Sequence, residues 1–165
     1  ITSAGDSALD GVYKLVAIEG DNGNIPTLKL SDSPEKILNP GNKRVFRIYD
    51  RRGKSTADVM SLDDIGTAEG GQLVLRHPSD HTKYRIIKNT DISAVEPLLC
   101  TIVENGRLVY DFPSLEDIRK QREYDLNALD PGVKRIMNPH IYHVSLTEDL
   151  WEMKKQLIYS MKNGT

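Results

Sequence analysis

Apolar positions fall in two regimes along this chain. Through the first two-thirds they come in short bursts separated by turn residues, and in the last third they recur at helical spacing. The bursts predict strands at 12–19, 27–31, 43–50, 56–61, 71–77, 83–88, 96–103 and 107–110. Alternation with polar residues is clearest at Leu28 and Leu30 and at Leu73 and Leu75, the period of a half-buried strand. Hairpin turns are predicted at Asp21-Asn22-Gly23, Arg51-Arg52-Gly53 and Asn105-Gly106, because Asn and Gly reach the positive φ angles that tight turns demand. Residues 1–111 are therefore expected to form an antiparallel sheet folded into a barrel or sandwich.

From Pro113 the period changes. Ser114 is placed as an N-cap, with Glu116 and Asp117 in the first turn against the helix dipole. Leu115, Ile118, Arg122, Leu126 and Leu129 follow on one face, the arginine stem lying along the stripe. Asp130-Pro131 is read as the start of a second, short helix, since proline loses nothing at the first helical position. After a loop at Asn138-Pro139, Ser145 or Thr147 is read as the cap of a last helix. Its stripe runs through Leu146, Leu150, Met153, Leu157 and Met161, with Trp151 and Ile158 widening it, and it ends at Asn163-Gly164. The order, strands then two or three helices, predicts an α+β fold. Residues 112–165 are expected to pack on 1–111 as one compact unit.

Composition narrows the classes. The 165 residues suffice for one domain. Lys and Arg total 22 against 24 Asp and Glu, a net charge of −2, which gives no support for a nucleic-acid or membrane-surface protein. No apolar run reaches the length of a membrane span and no signal peptide is visible. A single cysteine, Cys100, cannot form an intrachain disulfide, so a reducing, cytoplasmic setting is expected. The chain starts at Ile1 with a loop-like ITSAGDSALDG, which is read as part of a longer polypeptide.

Candidate chemistry is sparse. The histidines pair as His77/His81 and His140/His143, but neither pair lies on a predicted helix with a completing Cys or carboxylate, so no metal site is assigned. Residues 43–54 hold Lys43, Arg44, Arg47, Arg51, Arg52 and Lys54 with Phe46 and Tyr49 between them. Such a hairpin could hold an anion or nucleic acid, or present charged outward positions that protect a sheet edge. Cys100, inside LLCTIV, is read as a core residue. Glu116-Asp117 and Glu148-Asp149 are read as helix-start acids rather than a catalytic pair. There is no Gly-rich phosphate loop and no G-x-S-x-G or H-E-x-x-H motif.

Four ordered stretches add a family resemblance spanning nearly all of the chain. ITSAGDSALDGVYKLVAIE, LKLSDSPEKILNPGNKRVFRIYD, VEPLLCTIVENGRLVYDFPSLEDIR and MNPHIYHVSLTEDLWEMKKQLI resemble the carboxy-terminal portion of the nicotinate phosphoribosyltransferases. The chain departs from that pattern at Asp10, where the family has a second glycine.

The resemblance implies an enzyme of NAD biosynthesis that transfers phosphoribose from phosphoribosyl pyrophosphate to nicotinate. The transfer is coupled to ATP hydrolysis through a phosphohistidine, with Mg²⁺ at the phosphates. It implies an α/β-barrel phosphoribosyltransferase of which this chain is a fragment, often dimeric, acting without nucleic acid or membrane. The family's phosphorylated histidine and nicotinate-binding arginine fall upstream of Ile1, so no catalytic residue and no bound cofactor is expected here and the piece alone is expected to be inactive. Thr2 and Ser3 are placed by the resemblance at the edge of a phosphate site. The alternative carried forward is a non-catalytic β-barrel module that binds an anionic ligand or nucleic acid through the 43–54 hairpin.

Overall fold

A computed structural model describes residues 13–65 and 71–164. Thr2 and Ser3, the two expected phosphate-site residues, lie outside the described residues. The chain runs β1 (Ala17–Gly20), β2 (Gly23–Pro26), β3 (Arg44–Asp50), β4 (Ser55–Ser61), β5 (Gln72–Arg76), β6 (Tyr84–Lys88), β7 (Ile92–Pro97), β8 (Val103–Glu104), β9 (Arg107–Leu108), α1 (Leu115–Ala128), β10 (His143–Thr147) and α2 (Glu148–Asn163).

The three turns form where the sequence places them. β1 and β2 make a hairpin closing at Gly20↔Gly23. β3 and β4 close through Gly53 at φ 69°, where the Asp50 carboxylate accepts the Arg52 and Lys54 backbone N–H groups. β8 and β9 close on Asn105 (φ 48°) and Gly106 (φ 74°), both left-handed as a primed turn requires.

Three strand expectations shift. The first strand shortens to Ala17–Gly20, and its partner is Gly23–Pro26 rather than 27–31. The segment expected at 96–103 pairs earlier, as Ile92–Pro97, and leaves 98–102 irregular and exposed. Cys100 therefore lies on the surface and not in the core.

The main sheet has six strands in the order β6-β5-β10-β4-β3-β7. Its two edges, β6 and β7, do not meet, so it is an open half-barrel rather than a closed one. The larger correction concerns β10. The pattern places Ser145 or Thr147 as a helix cap and Leu146 on the last helix's stripe, yet 143–147 forms a central strand. It runs parallel to β4 (Val144↔Asp58, Leu146↔Met60) and antiparallel to β5 (Thr147↔Leu75). The sheet is thus mixed. Alternation is concealed because Ser145 and Thr147 are buried polar residues flanking Leu146. Thr147 precedes α2 but its side chain caps nothing; its hydroxyl lies 3.4 Å from both the Met60 carbonyl and Ser61 Oγ, inside the sheet.

Two apolar clusters hold the fold. Ile48, Ala57, Val59, Leu73, Leu75 and Ile87 come from β3, β4, β5 and β6. Leu146, Leu150 and Trp151, with Met60 and Leu62, seat α2 against β10 and β4. Trp151 is further held between Arg76 (4.8 Å to the ring centre), Lys155 (4.6 Å) and the edge of His81 (5.8 Å). Arg76 makes a two-point ion pair with Glu148 at 2.8 and 2.7 Å, so Glu148 ties α2 to β5 as well as favouring the helix start.

Helix α1 is as predicted at its start: Ser114 accepts the Asp117 N–H at 3.1 Å. Its stripe is not buried, however. Leu115, Ile118 and Leu126 are exposed and only Ala128 is covered. The helix has no basic residue in its last turn, and its final carbonyls are met from elsewhere: Leu126 by Lys134, Asn127 by Lys54 and Ala128 by Ser55. The helix expected from Pro131 is a turn instead, pinned by Asp130 accepting the Gly132 N–H at 2.9 Å.

Candidate functional site

A cleft of about 690 Å³ is bounded by the 34–39 segment, β5, the 77–85 hairpin, the start of β10 and α2. Its walls are partly apolar, from Ile37, Leu75, Ile141 and Val144, and partly polar. Residues 141–143 and Arg85 also border a second cleft of about 600 Å³ toward Arg52, Ser55 and Asp130.

Lys154 sits in the first cleft wall, 6% exposed, with Nζ donating to the carbonyls of Ile37 (3.3 Å) and Pro78 (2.9 Å) and to Asn39 Oδ1 (2.9 Å). All three acceptors are neutral. The ammonium's donors are satisfied but its charge is not, and burial pushes its pKa down. Arg85 donates to the Thr56 carbonyl at 3.0 Å and to Thr56 Oγ1 at 2.8 Å, again to neutral oxygens.

His77 Nδ1 accepts the Asp80 N–H at 3.0 Å, which leaves Nε2 as the protonated nitrogen. His143 has its pKa lowered, first by burial and then by the nearby positive charge of Arg85. The fold thus brings His77 and His143 to one cleft, while His140 borders the second cleft and His81 lies against Trp151. Among the described residues no group of three or more His, Cys, Asp or Glu is placed to hold a metal ion. The Mg²⁺ that the resemblance implies is therefore not assigned to side chains described here.

The 43–54 hairpin presents a different picture from its sequence. Every one of its six cations has a partner. Lys43 donates to the Gly41 carbonyl at 2.6 Å, Arg44 pairs with Asp64, and Arg51 meets Asp91 and the Thr90 carbonyl. Arg52 bridges Asp50 and Asp130, and Lys54 bonds the Asn127 carbonyl. Arg47 makes a two-point pair with Asp58 (2.8 and 3.0 Å) and approaches Asp125 at 3.7 Å. Tyr142 also donates to Asp58 at 2.9 Å, and its pKa is pushed up to about 12 by burial and by that carboxylate. Tyr49 donates to Glu96 and its phenol is likewise raised, by burial first. Carboxylates thus neutralise the four arginines of the hairpin, while Lys43 and Lys54 bond backbone carbonyls, which weakens the case for an anion-binding hairpin.

The cleft is not legible in the sequence because Lys83 and Arg85 lie some seventy residues from Lys154, and only the pairing of β10 between β4 and β5 brings the surrounding elements together.

A sequence model of the nicotinate phosphoribosyltransferase C-terminal domain matches residues 42–154. The nicotinate phosphoribosyltransferase of Bacillus subtilis strain 168 is 35% identical over 164 residues, covering 99% of this chain and 33% of that protein. The human nicotinate phosphoribosyltransferase is 31% identical, covering 95% of this chain and 28% of that protein. The crystal structure of human nicotinic acid phosphoribosyltransferase superposes with a TM-score of 0.60 at 28% identity, over 72% of this chain and 23% of that one. The chain spans a third or less of the length of these relatives.

Proposed function

The chain belongs to the nicotinate phosphoribosyltransferase family as its C-terminal domain, and from that premise we propose that it completes a longer enzyme forming nicotinate mononucleotide. The substrates of that enzyme are nicotinate and phosphoribosyl pyrophosphate, and the products are nicotinate mononucleotide and pyrophosphate, with ATP hydrolysed in the cycle and Mg²⁺ at the phosphates. The observation that carries this reading is the match of the C-terminal domain over residues 42–154, supported by relatives of the same name that cover nearly the whole chain.

On this reading the chain's contribution is architectural. The mixed sheet with α2 forms a stable base, and the exposed apolar residues of the 98–118 arm, among them Leu99, Val103, Leu108, Phe112 and Ile118, are covered by the remainder of the enzyme or by a second subunit of a homodimer. On the family resemblance alone, we place Thr2 and Ser3 at the edge of the transferase's phosphate site, through hydroxyl or backbone N–H donation. No helix among the described residues is long and apolar enough to cross a membrane. The family resemblance and the balanced charge support a cytoplasmic enzyme acting without nucleic acid.

The test is direct. The 165-residue chain, given nicotinate, phosphoribosyl pyrophosphate, ATP and Mg²⁺, should form no nicotinate mononucleotide, whereas the full polypeptide that contains it should. Turnover by the isolated chain would overturn the architectural role, and inactivity of the full polypeptide would overturn the assigned reaction.

A further inference from the structure

We propose that the cleft between the 34–39 segment, the 77–85 hairpin and α2 is a binding site for a phosphate monoester of mononucleotide size, with Arg85 as its principal anion contact. The cleft's charge and shape carry this independently of phosphoribosyl transfer. Three cations, Lys83, Arg85 and Lys154, line it against one carboxylate, Glu35. Lys83 is neutralised by Asp80 at 3.0 Å. Arg85 and Lys154 bond only neutral oxygens, so both charges are left without a counter-ion among the described residues.

The arginines of the 43–54 hairpin, and Arg76, all meet carboxylates. A buried ammonium without a counter-ion is costly, and an anion in the same concavity, contacted by the half-buried Arg85 guanidinium, would offset that cost. The guanidinium has five N–H donors and Thr56 takes two, which leaves a fork suited to phosphate oxygens. Lys154 supplies charge without a free donor, because its three N–H groups are already used.

The volume argues for more than a bare anion. About 690 Å³ lies within the range of sites that enclose drug-sized ligands. The apolar side chains of Ile37, Leu75, Ile141 and Val144 offer a wall for the uncharged part of such a ligand, and the rings of His77 and His143 also line the cleft.

The probe is adenosine monophosphate, titrated calorimetrically into the 165-residue chain, with inorganic phosphate and adenosine as comparators. Saturable binding with Kd below about 1 mM is expected for adenosine monophosphate, with both comparators at least about tenfold weaker. Arg85→Gln should weaken binding about tenfold or more, and Arg85→Lys, which keeps the charge but not the fork, less than that. Because Arg85 also braces Thr56, Glu35→Gln is the deciding variant. Removing the cleft's one carboxylate should tighten binding about two- to threefold, an effect that a bracing role for Arg85 does not produce. Absence of saturable binding below about 5 mM would overturn the proposal. So would binding that neither Arg85→Gln nor Glu35→Gln alters. Inorganic phosphate binding as tightly as adenosine monophosphate would overturn the assignment of the apolar wall.

Discussion

Leu146→Ala separates the two ways of reading the C-terminal third. On the sequence, Leu146 and Leu126 are equivalent members of helical stripes; in the fold, Leu146 is 0% exposed in a central strand while Leu126 is 38% exposed on α1. Truncating Leu146 removes a side chain packed among Leu150, Trp151, Met60 and Leu62. The strand carrying it is hydrogen-bonded on both sides, to β4 and β5, so the backbone cannot move inward to fill the hole. Large-to-small core changes of this kind cost about 2–5 kcal/mol, and the poorly collapsible site places this one at about 3–4 kcal/mol. For a domain of this length that corresponds to a Tm lower by roughly 10 °C. Urea unfolding followed through Trp151, the single tryptophan, reports on the same cluster. Leu126→Ala serves as the control and should cost less than about 1 kcal/mol. A loss below about 1.5 kcal/mol for Leu146→Ala, or one equal to that of Leu126→Ala, would refute the placement of β10 in the sheet interior.

Other consequences of the fold are open to measurement. Cys100 is exposed, so a thiol reagent should label the native protein at the rate seen in urea; protection lifted only by unfolding would contradict its position. His143 has a folded-state pKa below its unfolded value of about 6.5. The unfolded chain therefore binds the extra proton first, and the His143 contribution to stability is complete above pH 6.5 and is lost as pH falls through the lower, folded value. His143→Gln should flatten the stability profile between roughly pH 5 and 7, and an unchanged slope would remove His143 from that titration. The apolar 98–118 arm should make the isolated chain associate with rising concentration in sedimentation experiments. Phe112→Asp, at a position 70% exposed, should reduce that association without lowering the unfolding midpoint; association unaffected by the change would place the sticky surface elsewhere.

Some of this protein is legible in its sequence because the determining forces are local. Asn105-Gly106 and Gly53 turn the chain for reasons contained in their own backbones, and Ser114 caps α1 through an N–H three residues away. Strands β3, β4, β5 and β6 are legible close to their actual bounds, because β-branched and aromatic residues between turn signals need no distant partner to be recognised. Family membership was legible too, from residues in fixed order rather than from chemistry.

What the sequence left undetermined depends on partners remote along the chain. The LLCTIV run reads as a buried strand, but β7 takes the pairing next to β3 and leaves Cys100 outside. Six basic residues read as a patch until Asp58, Asp64, Asp91, Asp125 and Asp130 arrive from other elements to neutralise four of them. β10 has too few apolar residues to announce itself, since burial between two strands satisfies Ser145 and Thr147 through the sheet rather than through alternation. Turns and caps are settled within a few residues; strand order, charge compensation and the cleft that holds Arg85 and Lys154 are settled only when segments separated by tens of residues meet, because pairing and desolvation act between neighbours in space.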